Sequence, residues 1–156
     1  MEDRNTQIIE DKERVKREKN FLIHGYEEKG SSAEEVGNND VAQVEAFFKQ
    51  IRNNIRTTKF TRLGKYSSEK IRPLKVEMAC AADKDLIMNS LKYLKGSTLE
   101  KLSVKDDLSQ IEREMVKKYV EQAKQESEKD PKVYYVVRGS PKNGLHLVRR
   151  TRQQRL

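Results

Sequence analysis

Residues 20–26, N-F-L-I-H-G-Y, place the tightest constraint on what this chain can fold into. Phe21 and Ile23 alternate with Leu22 and His24, and Gly25 closes the run. The stretch reads as a short strand with an apolar face of period two, and such a face must be buried. The patterns that follow supply partners: a helix, two strands, a second helix and another strand. The order β-α-β-β-α-β is that of a ferredoxin-like split sandwich and puts the first strand in the centre of the sheet. The expected fold class is α+β.

Upstream, residues 1–19 alternate charge sign densely, with six basic and six acidic side chains. Ile8 and Val15 are seven apart, and Leu22 extends that spacing, as at the end of a coiled coil; a solvated helix or frayed tail has the same composition. Downstream, residues 27–39 carry Gly30, Ser31, Ser32, Gly37, Asn38 and Asn39 and read as a turn-rich loop. A helix is expected from about Asp40 to Asn53, with Val41, Val44, Phe48, Ile51 and Ile55 on one face and Asp40 and Gln43 as a capping pair. Residues 57–64 and 71–80 read as strands, with Leu74, Val76 and Met78 toward the core and Lys75 and Glu77 away from it. A second helix is expected over 83–95, with Ile87, Leu91 and Leu94 inward and Gly96 as its stop, and a closing strand over 101–104. Ser109 and Glu112 then form a capping box for a helix reaching about Lys129, with Ile111, Met115, Tyr119 and Ala123 inward. Residues 133–138 and 145–149 pair as a hairpin around Pro141 and Asn143-Gly144.

The net charge of +8 is concentrated. Residues 56–75 carry seven basic side chains and one acidic, and residues 132–156 carry seven basic and none acidic, whereas residues 1–19 are neutral. Clustered Lys and Arg favour a polyanion through counterion release. The hydrophobic fraction of 35% against 37% charged is lean for one compact core, so part of the chain is expected to be solvated. No apolar run is long enough to span a bilayer, no secretory leader is read at the start, and a membrane partner is not expected. The single cysteine, Cys80, fits a reducing compartment and a small buried hydrophobe.

The constellations that catalysis requires are not in evidence. Two histidines, His24 and His146, with one cysteine do not make a zinc site of the usual spacing, and there is no Gly-x-Ser-x-Gly elbow. Leu63-Gly64-Lys65 departs from a phosphate loop, with Lys59 where glycine is required and Tyr66 where Ser or Thr is required. Asp106-Asp107 precede a helix, where carboxylates favour the N-terminus. The expectation is a non-enzymatic protein with no metal and no cofactor.

Five short stretches, in order, resemble a known family: Lys19-Asn20-Phe21-Leu22-Ile23-His24-Gly25, Arg62-Leu63-Gly64-Lys65, Arg72-Pro73-Leu74-Lys75-Val76, Asp106-Asp107-Leu108-Ser109 and Tyr135-Val136-Val137-Arg138-Gly139. Together they are similar to the first-open-reading-frame protein of LINE-type non-LTR retrotransposons, over roughly residues 15–150. The resemblance implies an RNA-recognition-motif (RRM) domain followed by a smaller C-terminal RNA-gripping domain. It also implies coating of RNA, nucleic-acid chaperone activity and residence in cytoplasmic ribonucleoprotein particles, with the nucleus as a second location. The chain then divides into a charged helix, coiled-coil end or linker at 1–19, an RRM-like domain at 20–105, a helix-and-hairpin domain at 106–150 and a basic tail at 151–156. A homo-oligomer through the N-terminal coiled coil is the implied assembly.

Matching the family motifs carries Arg62, Arg72 and Arg138 over as RNA contacts. Lys65, Lys75 and Lys142 join them from the same positive segments, and Arg149, Arg150 and Arg152 from charge alone. Tyr66, Tyr134 and Tyr135 are the candidates for base stacking. The wider RRM pattern stacks bases on aromatics of its central strands; here the first strand offers Leu22 and the third offers Pro73, Lys75 and Glu77. Phosphate contacts with low sequence preference are therefore expected for RNA and single-stranded DNA, between two positive walls. The alternative function is an RRM-like protein–protein interaction module without RNA binding.

Overall fold

A computed structural model of the chain describes residues 4–51 and 59–153. These divide into two units between Asp107 and Leu108. The first is an α+β unit. Helix α1 (Arg4–Arg17) leads into β1 (Asn20–His24), followed by α2 (Ala33–Gln50), β2 (Lys59–Arg62), β3 (Leu74–Glu77), α3 (Ala81–Asn89), a 3-10 turn at Leu91–Leu94 and β4 (Ser103–Asp106). The four strands form one antiparallel sheet in the order β2-β3-β1-β4, so β1 is central, as its pattern predicts.

Register explains the core. Phe21 pairs with Val76 and Asp106, Ile23 with Leu74 and Val104, and Phe60 with Val76. Residues directly opposite share a face, so one side of the sheet collects Phe21, Ile23, Phe60, Leu74, Val76 and Val104. Val44, Phe47 and Ile51 of the α2 segment and Ile87 of α3 close over this side, and the rings of Phe21 and Phe47 lie 6.0 Å apart. Among these, Phe21, Ile23, Phe47, Ile51, Leu74, Val76 and Ile87 are fully buried.

Several elements depart from their expected bounds for local reasons. Helix α2 begins at Ala33, seven residues before Asp40. Ser32 is its N-cap, with Oγ accepting from the Glu35 N–H at 3.2 Å, while the Glu35 carboxylate accepts from the Ser31 N–H and hydroxyl. These bonds hold the Glu35 carboxyl below its ordinary range. Buried Val36 adds a turn of apolar face, which outweighs the low helix preference of Gly37, Asn38 and Asn39. Asp40 is thus an interior helix residue and not a cap, and Val41 is exposed. The expected Asn53, Ile55, Thr57 and Thr58 lie outside the described residues.

Strand β3 is shorter than residues 71–80, and Cys80 is exposed at the N-cap of α3 instead of buried in a strand. Leu22 belongs to β1, so the seven-residue spacing of Ile8 and Val15 stops at the end of α1; both of those side chains are exposed. Asp106 and Asp107 do not serve as charges at a helix start. Asp106 binds the Lys84 ammonium at 2.8 Å, and Asp107 accepts from Arg17 Nη1 at 2.8 Å and from Asn20 Nδ2 at 3.1 Å. They tie α3 and the α1–β1 junction to the end of β4.

The second unit is α4 (Gln110–Glu128) with the hairpin β5 (Val133–Ser140) and β6 (Gly144–Thr151). Ser109 and Glu112 form the reciprocal capping box. Ala123 and Val133 are buried, whereas Ile111, expected inward, is exposed. The turn needs glycine at both flanks: Gly139 and Gly144 have φ of 87° and 96°, and a Cβ on Gly139 would land on the Gly144 carbonyl oxygen.

Deleting the Phe47 ring leaves a cavity against Phe21 at the centre of the first core. Phe47→Ala is expected to lower the stability of that unit by about 3–5 kcal/mol, read from the urea midpoint of the full chain.

Candidate nucleic-acid interface

The side of the sheet turned away from α2 and α3 is built by the other half of each strand's alternation. Register places Thr61 beside Lys75, Lys75 beside Leu22, and Leu22 beside Lys105. A row Thr61–Lys75–Leu22–Lys105 therefore crosses the sheet, with His24 and Ser103 paired in the next row. At about 4.8 Å per strand, the two lysines stand roughly 10 Å apart on either side of Leu22. Lys105 is exposed and Lys75 partly so, and among the described residues neither lies within ion-pair distance of a carboxylate. Burial, and then the charge of Lys105, hold His24 below its ordinary value of 6.5.

Arg62 is not part of this face. It pairs with Leu74 and so points to the core side with Phe60. Its side chain is 5% exposed and grips Asp40 with two nitrogens, Nη2 to Oδ1 at 2.7 Å and Nε to Oδ2 at 3.1 Å. Nη1 donates to the carbonyls of Tyr26 and Arg72, both at 2.7 Å, and Glu28 lies 3.8 Å away. The expected phosphate contact is thus an internal clamp. Alternation in K-F-T-R carries the signal, since residue 62 shares its face with Phe60. Arg72 is largely engaged as well: Nε donates to Glu28 at 2.6 Å and Nη1 to the Gly64 carbonyl at 3.2 Å.

Lys65 and Tyr66, in the β2–β3 connection, are exposed, and Arg72 lies over the Tyr66 ring. The sheet face, with Lys75 and Lys105, is set by strand register. Lys105 escapes sequence reasoning because a closing strand that stops at residue 104 omits it; β4 runs to Asp106.

In the second unit, β5–β6 register sorts the remaining candidates by face. Tyr134 pairs with Arg150, Val136 with Val148 and Arg138 with His146, all on one face. Tyr135 pairs with Arg149 on the other, which carries the buried Val133. Arg149 and Arg150, grouped by charge alone, therefore diverge. Tyr134, Arg138, His146 and Arg150 are exposed, giving a basic face with one aromatic ring. Tyr135 is half-buried, its N–H donating to Ser127 Oγ at 2.8 Å. Lys142 is exposed in the turn, and Arg152 follows the strand, where its N–H donates to the Lys132 carbonyl. Residues 154–156 of the expected tail lie outside the described residues.

No protein-family model matches the chain, and no curated protein matches it.

Two outcomes follow from these environments. Arg62→Ala strands the buried Asp40 carboxylate and is expected to destabilise the first unit by about 3–5 kcal/mol in urea unfolding, whereas Lys75→Ala changes stability by no more than about 0.5 kcal/mol. The His24 imidazole is expected to titrate below 6.5 in an NMR series, with its midpoint rising in Lys105→Gln. The unfolded chain takes up that proton first as pH falls, so His24 subtracts stability on acidification through 6.5, and His24→Gln removes that loss.

Proposed function

We propose that this chain is a non-enzymatic single-stranded nucleic-acid-binding protein that coats RNA, also accepts single-stranded DNA, and acts as a chaperone for strand rearrangement. The first unit is read as an RRM-like domain, supported by its β-α-β-β-α-β order and the β2-β3-β1-β4 arrangement of its sheet. The observation that carries the reading is the placing of two lysines on either side of Leu22, on the face of the sheet turned away from the helices. On the helix side, Asp40 and Asp106 each hold a cation. On the other side stand Lys75 and Lys105, neither within ion-pair distance of a carboxylate among the described residues; Glu77, on the same face, pairs in register with Lys59 and Asn20. A polyanion fits that face.

Leu22 sits between the lysines where an RRM of the usual kind would stack a base. Affinity then rests on phosphates, with lysines acting as point charges, and sequence preference is low. The second unit adds Arg138, Arg150 and Tyr134 on one hairpin face and Lys142 at its tip. Contacts of this kind are individually weak and exchange quickly, as strand annealing requires. The likeness of five ordered segments to LINE first-open-reading-frame proteins supports the same reading. Self-association through α1 belongs to it, with exposed Ile8 and Val15 seven residues apart as the seam.

Binding of a single-stranded oligonucleotide, measured by filter retention at several salt concentrations, tests the proposal. Each phosphate neutralised contributes about −0.7 to the slope of log K against log salt. The double variant Lys75→Glu, Lys105→Glu is expected to reduce the steepness by at least about 1.4 and to weaken binding at low salt. A flat salt response, or a double variant that binds as the parent does, refutes it.

A further inference from the structure

Resting on that reading, we propose that Tyr66 is a stacking platform for an unpaired base, the point at which a strand tracked by its phosphates is held by a base. The placement of the ring carries the proposal. Tyr66 is 59% exposed, the most exposed tyrosine among the described residues, in the connection between β2 and β3. It fills no core.

Its surroundings are built rather than loose. Gly64 turns the chain with φ of 86°, the Leu63 N–H donates to the Pro73 carbonyl at 2.9 Å, and Ser67 and Lys70 bridge across the loop. The Arg72 guanidinium lies over the ring, 5.7 Å from its centroid. Arg72 is itself fixed by Glu28 at 2.6 Å and by the Gly64 carbonyl at 3.2 Å. The buried Arg62–Asp40–Glu28 network thus reaches the surface through Arg72 and backs one side of the ring. With Tyr66 59% exposed, the ring keeps surface that a ligand can reach.

An exposed ring backed by a cation suits a flat, polarisable partner. Lys65 and Lys70, both exposed, flank it and supply charge for the phosphates on either side of a stacked base; Glu69 is the one carboxylate in the connection. A ring already held in place loses little freedom on binding, which favours affinity. Stacking on an aromatic ring is insensitive to which base is presented, so the platform adds affinity without sequence preference.

The chain contains no tryptophan, so Tyr66→Trp installs a unique fluorophore with a stacking surface. Full-length protein would be titrated with an oligodeoxythymidylate and with an abasic deoxyribophosphate strand of the same length. The Y66W emission is expected to be quenched by the base-bearing strand and not by the abasic one. Tyr66→Ala should weaken the base-bearing strand about 5- to 150-fold and leave the abasic strand within about two-fold, with Tyr66→Phe binding as the parent does. If Tyr66→Ala weakens both strands equally or neither, or if the base-bearing strand binds without quenching, the platform is refuted while nucleic-acid binding stands. If the parent chain binds neither strand, both proposals fall.

Discussion

The guanidinium of Arg62 is the contact on which the arrangement of the first unit most depends. It joins α2, through Asp40, to the carbonyl of Tyr26 after β1 and to the carbonyl of Arg72 before β3. Three segments far apart in sequence meet on one planar group whose donors are fixed in direction. A buried pair of this kind adds little over well-packed apolar side chains, but removal of one partner strands the other charge. Its role is geometric: it sets where the edge strand and the following connection sit.

That role has a consequence for the surface. The acids on the helix side hold their cations there, whereas Lys75 and Lys105 on the opposite side have no carboxylate within ion-pair distance among the described residues. Glu28 extends the clamp to Arg72, and Arg72 reaches over Tyr66. Internal order and surface chemistry are therefore linked through one chain of contacts. A change at Arg62 would be felt at the surface through displacement, although Arg62 itself is buried.

The elements with strong periodicity were legible without coordinates. N-F-L-I-H announced a half-buried strand and its central place, and Leu74, Val76 and Met78 announced the inward face of another; Ser109 and Glu112 announced a capped helix. Boundaries were less legible where local preference and packing compete. Gly37, Asn38 and Asn39 favour a loop, yet Val36 has a core to bury and Ser32 a turn to cap, and the helix wins that contest by seven residues. Asp40 was misread for the same reason, since a carboxylate taken to start a helix serves inside it as a counterion.

For the candidate site, sequence alone determined which segments are positive and which residue types they offer. It determined too that the central strand presents Leu22 and no aromatic ring. Only the tertiary structure decided which of the candidate cations are held by internal carboxylates. Charge counts do not distinguish an arginine facing Asp40 from a lysine facing away, because both lie in the same segment. The distinction comes from strand register, which sends Arg62 inward with Phe60, brings Lys75 and Lys105 to either side of Leu22, and parts Arg149 from Arg150. Register is settled by pairing between distant segments, and a change of one residue reverses every side chain of a strand.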